Sequence, residues 1–547
     1  MRRIILCYTL FIYILTAAAQ PKYEVRAVWL TTIGGIDWPR SYAHDGMGME
    51  AQKQQLCQML DRLQAINVNT ILLQTRVRAT TIYPSDIEPW DGCLSGKPGQ
   101  SPGYDALRFA IDECHRRGME LHAWIVTVPI GKWQTYGCQQ LRRRHPSMVR
   151  RIGEEGYLNP ESSQTANYLA DICEEVARRY DVDGIHLDYI RYPETWRGSK
   201  NPDYITRIVK QIYLRVKSLK PWVKMSCSPI GKYDDLSRYS SRGWNARRRV
   251  AQDAQRWLRE GLMDQLYPML YFRGNNFYPF VIDWQEQRYD RDIIAGLGTY
   301  MLHPREGDWP IDEVKRQLNV TRQIGVGHCH FRAKFLLDNV KGIYDFMRDF
   351  DRHPALTPPM PWGYNQSPTP PARLTVEHTV EGDQLEWTEG VDNSYGPYLL
   401  YNIYASAEEP VDISKAEHLI AMRQRQRQLF VARKAGRPLH YAVTALDRFG
   451  NESRPTLHES PSAHHESPST LLPNDGQTLH VPQQQLFDAQ LLTVCDMQGR
   501  QVLVCTYRPG ISIAHLSEGI YQLYALNKKR RQRLGFFTIK RQTSWRK

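Results

Sequence analysis

Metal-site spacing is missing from this 547-residue chain: its ten cysteines fall at irregular intervals, with no CxxC pair and no Cys/His pattern. His328, Cys329 and His330 stand together on an apolar run, but adjacent strand residues point to opposite faces, so the three cannot hold one ion. They read as packed histidines and a small buried thiol. Beyond residue 19 no stretch approaches the roughly 18 apolar residues that a membrane span requires. Long runs of one charge sign are also absent. The net charge is +13, from 71 Lys plus Arg against 58 Asp plus Glu, and the densest basic stretches, 142–144, 247–249 and 528–533, lack the aromatic partners of nucleic-acid modules. They read as solvated faces, and nucleic acid is not an expected partner. With 41% hydrophobic and 24% charged residues, the composition excludes collagen-like, disordered and small disulfide-scaffold classes, while the length calls for two to four domains.

What is present begins with a leader. Arg2 and Arg3 precede an apolar run over 4–16, and Ala17, Ala18 and Ala19 supply a small-residue cleavage site, so 1–19 reads as a secretory signal peptide. Cys7 follows only three apolar residues and belongs to that leader. Its removal takes the net charge to +11 and leaves nine cysteines. A secreted, periplasmic or cell-surface location is expected.

From residue 24 to about 348, short apolar runs alternate with amphipathic stretches, the pattern of a parallel α/β sheet. Strands are expected at 25–31, 70–74, 120–127, 184–188, 223–226, 265–271, 293–300 and 325–331. Helices are expected at 51–66, 105–117, 163–180, 204–219, 248–260 and 311–324, the first with Leu56, Met59, Leu60 and Leu63 on one stripe. Eight such strands in about 325 residues match a TIM (β/α)8 barrel with enlarged loops, spanning 20–353. Seven prolines over 354–371 then break the pattern, giving a linker at 354–370. A small antiparallel sandwich follows at 371–454, with Trp387 and Tyr401 as core aromatics, then a Ser/Pro/His-rich linker at 455–476 and a last all-β unit at 477–541. The fold class is therefore α/β, a TIM barrel followed by two small all-β sandwiches.

The most informative stretch is YDVDGIHLDYIRYP, residues 180–193. Asp188 ends an apolar strand, on the face where barrel active sites form, whereas Asp183 precedes the same strand and lies at the opposite end. A carboxylate that closes an apolar strand is hard to explain by packing, so Asp188 is the leading catalytic candidate. Aromatic residues make up 11% of the chain, which suits a protein that stacks flat rings against sugars as well as one that fills its core with them.

The segments VRAVWLTT (25–32), NVNTILLQTRVRATTIYPSDIEPW (67–90), RGMELHAW (117–124), YLNPES (157–162), VDGIHLDYIRYP (182–193) and WLREGLMDQLYPMLYF (257–272), in that order, resemble the bacterial glycosyl hydrolase-like family 10. The resemblance implies a TIM-barrel glycosidase acting on peptidoglycan glycan strands. It places Asp188 on the family's strand-four aspartate and Glu88 on the acidic residue of its YPS-x-x-EPW loop. Two departures stand out: Thr127, Val128, Pro129 and Ile130 replace an Asn-Pro-Tyr-Arg-like segment, and Tyr189 replaces a second aspartate.

Glycosidic cleavage ordinarily needs one group to protonate the leaving oxygen and another to support the oxocarbenium centre or activate water, unless an N-acetyl sugar supplies its own amide oxygen. As partners for Asp188 the upper-face carboxylates are Glu88, Asp283, Glu286, Glu306 and Asp308, with Glu88 in front because the resemblance reaches it; Asp264 starts a strand and is excluded. Substrate-binding roles fall to Arg76, Arg78, Trp124, His186, Arg191 and Tyr271. Trp29, Trp124 and Tyr271 read as barrel fillers ahead of sugar platforms, and His186 equally as a mouth or core histidine. No cofactor and no metal are expected. The competing reading is a non-catalytic glycan-binding or cell-surface scaffold.

The tail units carry resemblances too. Residues 371–454, with YNIYAS and HYAVTALDRFGNES, look like a fibronectin type III domain, and 477–541, with VCDMQGRQV and GFFTIK, are similar to the C-terminal sorting domain of the type IX secretion system. The second implies export machinery as a partner.

Overall fold

Eight parallel strands close into a barrel in chain order: β1 Arg26–Leu30, β2 Thr70–Arg76, β3 Glu120–Val126, β4 Gly184–Asp188, β5 Lys224–Cys227, β6 Gln265–Leu266, β7 Asp292–Leu297 and β8 Gly327–His330, with β8 pairing back to β1. This computed structural model describes residues 20–239, 243–394, 396–432, 439–458, 472–481, 491–496, 500–506, 510–527 and 530–540; the expected leader, with Cys7, lies outside them. The chain forms two compact units, up to His458 and from Glu459 onward.

Strand alternation sorts the side chains. Ala27 and Trp29 of β1 point into the barrel, where they meet Leu72, Trp124, Val126, Tyr267 and Ile294, while Val28 and Leu30 face the helical layer. Trp29 needs room inside, and Gly296 of β7 provides it: a Cβ there would lie 2.9 Å from the indole. Outside, Leu56, Met59, Leu60 and Leu63 are buried along the helix Gly46–Gln64, which Asp45 caps by accepting from the Gly48 amide at 2.8 Å. Helices Ala106–Arg116, Ser163–Arg179, Pro202–Leu219 and Ile311–Gln323 complete most of the jacket.

Two expectations are corrected. The strand predicted over 265–271 stops at Leu266, because Pro268 has no amide hydrogen to give; only single bridges from Met269 to Ile230 and Gly296 continue the ladder. The helix predicted over 248–260 is split into Ala246–Val250 and Ala254–Arg259 by Ala251, which is left-handed at φ +54°. The break turns Gln252 inward, where its Oε1 accepts from the Ile230 amide at 3.0 Å.

Between β3 and β4 an insertion builds a three-stranded antiparallel sheet from Pro129–Lys132, Glu155–Leu158 and Val149–Ile152. It stands on the C-terminal side of the barrel, beside Asp188.

At the other end of the barrel sits the first sandwich. Leu374–His378, Gly382–Trp387 and Gln428–Ala432 form one sheet, and Leu400–Ser406, Leu419–Gln424, His440–Leu446 and Thr456–Leu457 the other, with Trp387 against Tyr401 at 5.7 Å in the core. From it Arg423 reaches the start of β3 and the residue before β4, donating to Glu120 at 3.0 Å and Asp183 at 2.6 Å. Arg448 donates to Asp181 at 2.8 Å and Asp183 at 3.3 Å. The proline-rich connection lies along the same surface: Thr357 donates to Glu120 at 2.7 Å and the Trp362 indole to Asp264 at 2.7 Å.

In the second unit Gln501–Thr506, Leu491–Asp496, Gly519–Asn527 and Arg530–Ile539 make a four-stranded antiparallel sheet, and Thr478–His480 pairs with Gly510–Ser512. Leu479, Leu492, Leu523 and Phe537 fill its core. Of the basic run 528–533, residues 528–529 lie outside the described residues.

Candidate active site

Asp188 sits at the C-terminal end of β4, level with Val126 of β3, at the base of a cavity of about 550 Å³. Three donors hold its carboxyl: Ser228 Oγ at 2.7 Å and the Tyr189 amide at 2.8 Å to Oδ1, and the Trp124 indole at 3.1 Å to Oδ2. Burial raises its pKa above the usual aspartate range, against the pull of Arg191 and of these hydrogen bonds. The outcome is a fixed carboxyl that keeps a proton more readily than a surface aspartate does. Oδ2, with a single donor, is the oxygen left to exchange a proton with a ligand.

After β4 the backbone turns sharply. Tyr189 is left-handed at φ +53°, and its carbonyl accepts from the Arg191 amide at 2.8 Å. The turn lays the Arg191 guanidinium over the Tyr189 ring at 4.3 Å and presents both to the cavity.

Of the site residues read from the sequence, Arg78, Trp124, Asp188, Arg191 and Tyr271 line this cavity. Trp124 combines two roles, forming wall and orienting Asp188. Tyr271 stacks on Phe331, centroids 5.4 Å apart, at the opposite rim.

Arg76, Glu88 and His186 are placed elsewhere. Glu88 is buried with both oxygens engaged: Oε2 accepts from Arg76 Nε at 2.8 Å, and Oε1 from Arg76 Nη2 at 2.6 Å and the Tyr168 hydroxyl at 2.7 Å. The far side of the same guanidinium donates to the carbonyls of Val126 and Thr127. Arg76 and Glu88 thus clamp the end of β2 to the end of β3, and neither lines the cavity. His186 lies in the barrel core, where Nε2 accepts from the Trp29 indole at 3.3 Å and Nδ1 faces Ser226 Oγ at 3.0 Å. Burial, with His122 beside it, drops its pKa well below the usual histidine range, so it is neutral. Trp29 is core as well. Asp283, Glu286, Glu306 and Asp308 are outside the cavity; Asp283 accepts from Gln255, Glu286 pairs with Arg238 and Asp308 with Lys341.

Two lining carboxylates escaped the sequence reading. Glu194 follows Arg191 and pairs with it at 3.0 Å. Glu155 comes from the inserted sheet, and its carboxylate has no hydrogen-bond or ion-pair partner among the described residues. The alternating run VRRIGEEGYL over 149–158, turning at left-handed Gly153, is the hairpin signal that could have located it.

A closed parallel barrel with a buried, hydrogen-bonded carboxyl at the top of its fourth strand, under an aromatic-walled cleft, suits glycosidic cleavage, and the similar proteins place the chain among the glycoside hydrolases. More narrowly, the family described as Glycosyl hydrolase-like 10 matches residues 24–204 and 194–295, most of the barrel. The chain is 29% identical to the glycosyl hydrolase YngK of Bacillus subtilis (strain 168) over 483 residues, 80% of this chain and 93% of that one. It is also 29% identical to the glycosyl hydrolase DigH of Escherichia coli (strain K12) over 372 residues, 58% of this chain and 84% of that one. Among solved structures, the glycoside hydrolase domain of PgaB (BpsB) from Bordetella bronchiseptica overlays with a TM-score of 0.42 at 13% identity, covering 59% of this chain and 98% of that one.

Proposed function

We propose that the protein cleaves glycosidic bonds in bacterial glycan strands of the peptidoglycan type, with Asp188 as the proton donor to the leaving oxygen. The observation that carries this reading is the Asp188 carboxyl, buried, fixed by three donors and raised in pKa at the floor of an open cleft. Trp124 and Tyr271 give the cleft apolar faces for sugar rings. Glu155 serves as the second carboxylate, supporting the oxocarbenium centre or the attacking water; it is preferred to Glu194, which Arg191 already engages, and to Glu88, which is locked under the cleft. The substrate class follows the family resemblance. The test is to incubate the purified protein with bare glycan strands and assay new reducing ends: their appearance, and their loss in Asp188→Asn, support the reading, whereas tight binding without cleavage replaces it with a glycan-binding scaffold.

We infer from the leader read in residues 1–19 and the resemblance of the terminal unit to a sorting domain that this activity belongs in the cell envelope or outside it, with the terminal unit as an export signal. Cells expressing chains that end at Asp475 should retain the protein in the periplasm; unchanged surface or extracellular location rejects the sorting role.

A further inference from the structure

Tyr189 is a large side chain in a backbone state that suits glycine or asparagine. Its φ of +53° lies in the left-handed region, where a β-carbon crowds the following carbonyl, and of the ten non-glycine residues with positive φ among the described residues it alone lines the cleft. The turn delivers one thing through the backbone: the Tyr189 amide donates to Asp188 Oδ1 at 2.8 Å. Any residue but proline supplies that amide, and asparagine supplies it with less strain, so the amide accounts for the turn and leaves the tyrosine unexplained. Strain of this kind, kept beside a reacting carboxyl, points to what the side chain does.

Among the aromatic rings that line the cleft, Tyr189 is the most open, 40% exposed against 4% for Trp124. One face of its ring is taken by the Arg191 guanidinium at 4.3 Å, which Glu194 holds at 3.0 Å and whose Nε and Nη1 are closed to solvent and ligand alike. That contact holds the ring in place, and the exposed part of the ring is left to the cleft. The Tyr189 hydroxyl has no hydrogen-bond partner among the described residues. Burial, with the Asp188 carboxyl beside it, raises its pKa, so the hydroxyl stays protonated and offers a donor. A fixed aromatic face and a free donor, one residue from the carboxyl that exchanges the proton, match the two sides of a sugar: its C–H face stacks on the ring, and one of its oxygens accepts the hydrogen bond.

We infer that Tyr189 is a substrate-binding residue of the cleft, a platform on which the sugar next to the cleaved bond stacks while accepting from the tyrosine hydroxyl. The inference rests on the glycosidase reading above and adds to it the residue that seats the strand over Asp188. With bare peptidoglycan glycan strands as probe, Tyr189→Asn, which keeps the left-handed turn and the amide on Asp188, should raise KM about thirtyfold while kcat stays within about threefold of the unaltered protein. Tyr189→Phe, which keeps the ring and removes the donor, should raise KM only about threefold. Should Tyr189→Asn not fold, Tyr189→Leu carries the same test, because it keeps an apolar cover on Arg191 and removes the flat ring. An unchanged KM in the ring-less variant overturns the inference and leaves the glycosidase reading standing, as does a loss confined to kcat, which traces to a disturbed Asp188. If the unaltered protein releases no reducing ends, the glycosidase reading fails, and calorimetric titration of the full chain with the same strands decides the inference separately: binding weakened about tenfold or more in Tyr189→Asn supports it, and equal binding, or none by the unaltered chain, rejects it.

Discussion

Asp183 and Asp188 flank the same five-residue strand and live under opposite electrostatic regimes. Both are buried, which alone raises a carboxyl pKa. At the lower end His115, Arg423 and Arg448 overcome burial and hold Asp183 far below the usual range. At the upper end Arg191 and three hydrogen bonds do not overcome it, and Asp188 stays raised. The barrel thus has one face where carboxylates are neutralised by ion pairs and another where a carboxyl is left ready to exchange a proton. Burial is common to structure and chemistry; the number of counter-charges separates them.

The comparison can be broken from either end. Asp188→Asn should keep the fold and lower kcat by about three orders of magnitude or more, because it removes the proton donor at the reacting centre; near-normal turnover in a reducing-end assay would end its assignment. Unaltered enzyme should lose activity as pH rises through the raised Asp188 pKa. At the opposite face, Arg423→Met leaves Glu120 and Asp183 short of a partner in a buried site and should cost about 3–5 kcal/mol of stability, read as a lower midpoint in denaturant, with turnover of the folded fraction preserved. Glu155→Gln should lower kcat by about a hundredfold with little change in thermal midpoint, since its carboxylate holds nothing in place. The smallest effect sharpens the lower face by pH. Arg26, His328 and Arg322 outweigh burial at Asp351 and lower its pKa to about 2, so its folded pKa lies below its unfolded value. The stability it adds is present above about pH 4 and lost as pH falls through about 2, which a denaturation series across that range would register and which Asp351→Asn should flatten.

Much of this architecture was legible. The strand 184–188 was read with both its ends, and the placement of Asp183 below and Asp188 above it followed from strand direction alone. Prediction failed where a single backbone atom or a distant segment decides. Pro268 truncates β6 by lacking an amide hydrogen, and left-handed Ala251 splits a helix whose apolar spacing is otherwise continuous. His186 alternates correctly with Asp188, yet it sits two residues deeper, and depth along the barrel axis decides between core and mouth. Glu155 lies on a later strand of the sheet inserted after β3, well beyond the end of that barrel strand, so no rule about strand ends could reach it. Glu88 shows the converse: the motif that draws attention to it carries a clamp, with Arg76 as its partner.

The docking of the first sandwich bears on how the chain is made. Barrel strands end at His330, but the guanidiniums that neutralise Glu120 and Asp183 belong to residues 423 and 448. At ordinary elongation rates those arginines leave the ribosome roughly 5–25 seconds after β8 has been synthesised. During that interval the lower carboxylates have Lys224, His115 and His122 but neither arginine for company and favour a hydrated, unsealed barrel floor. Closure of the catalytic domain is thus timed by a module synthesised after it and docked on the face opposite Asp188.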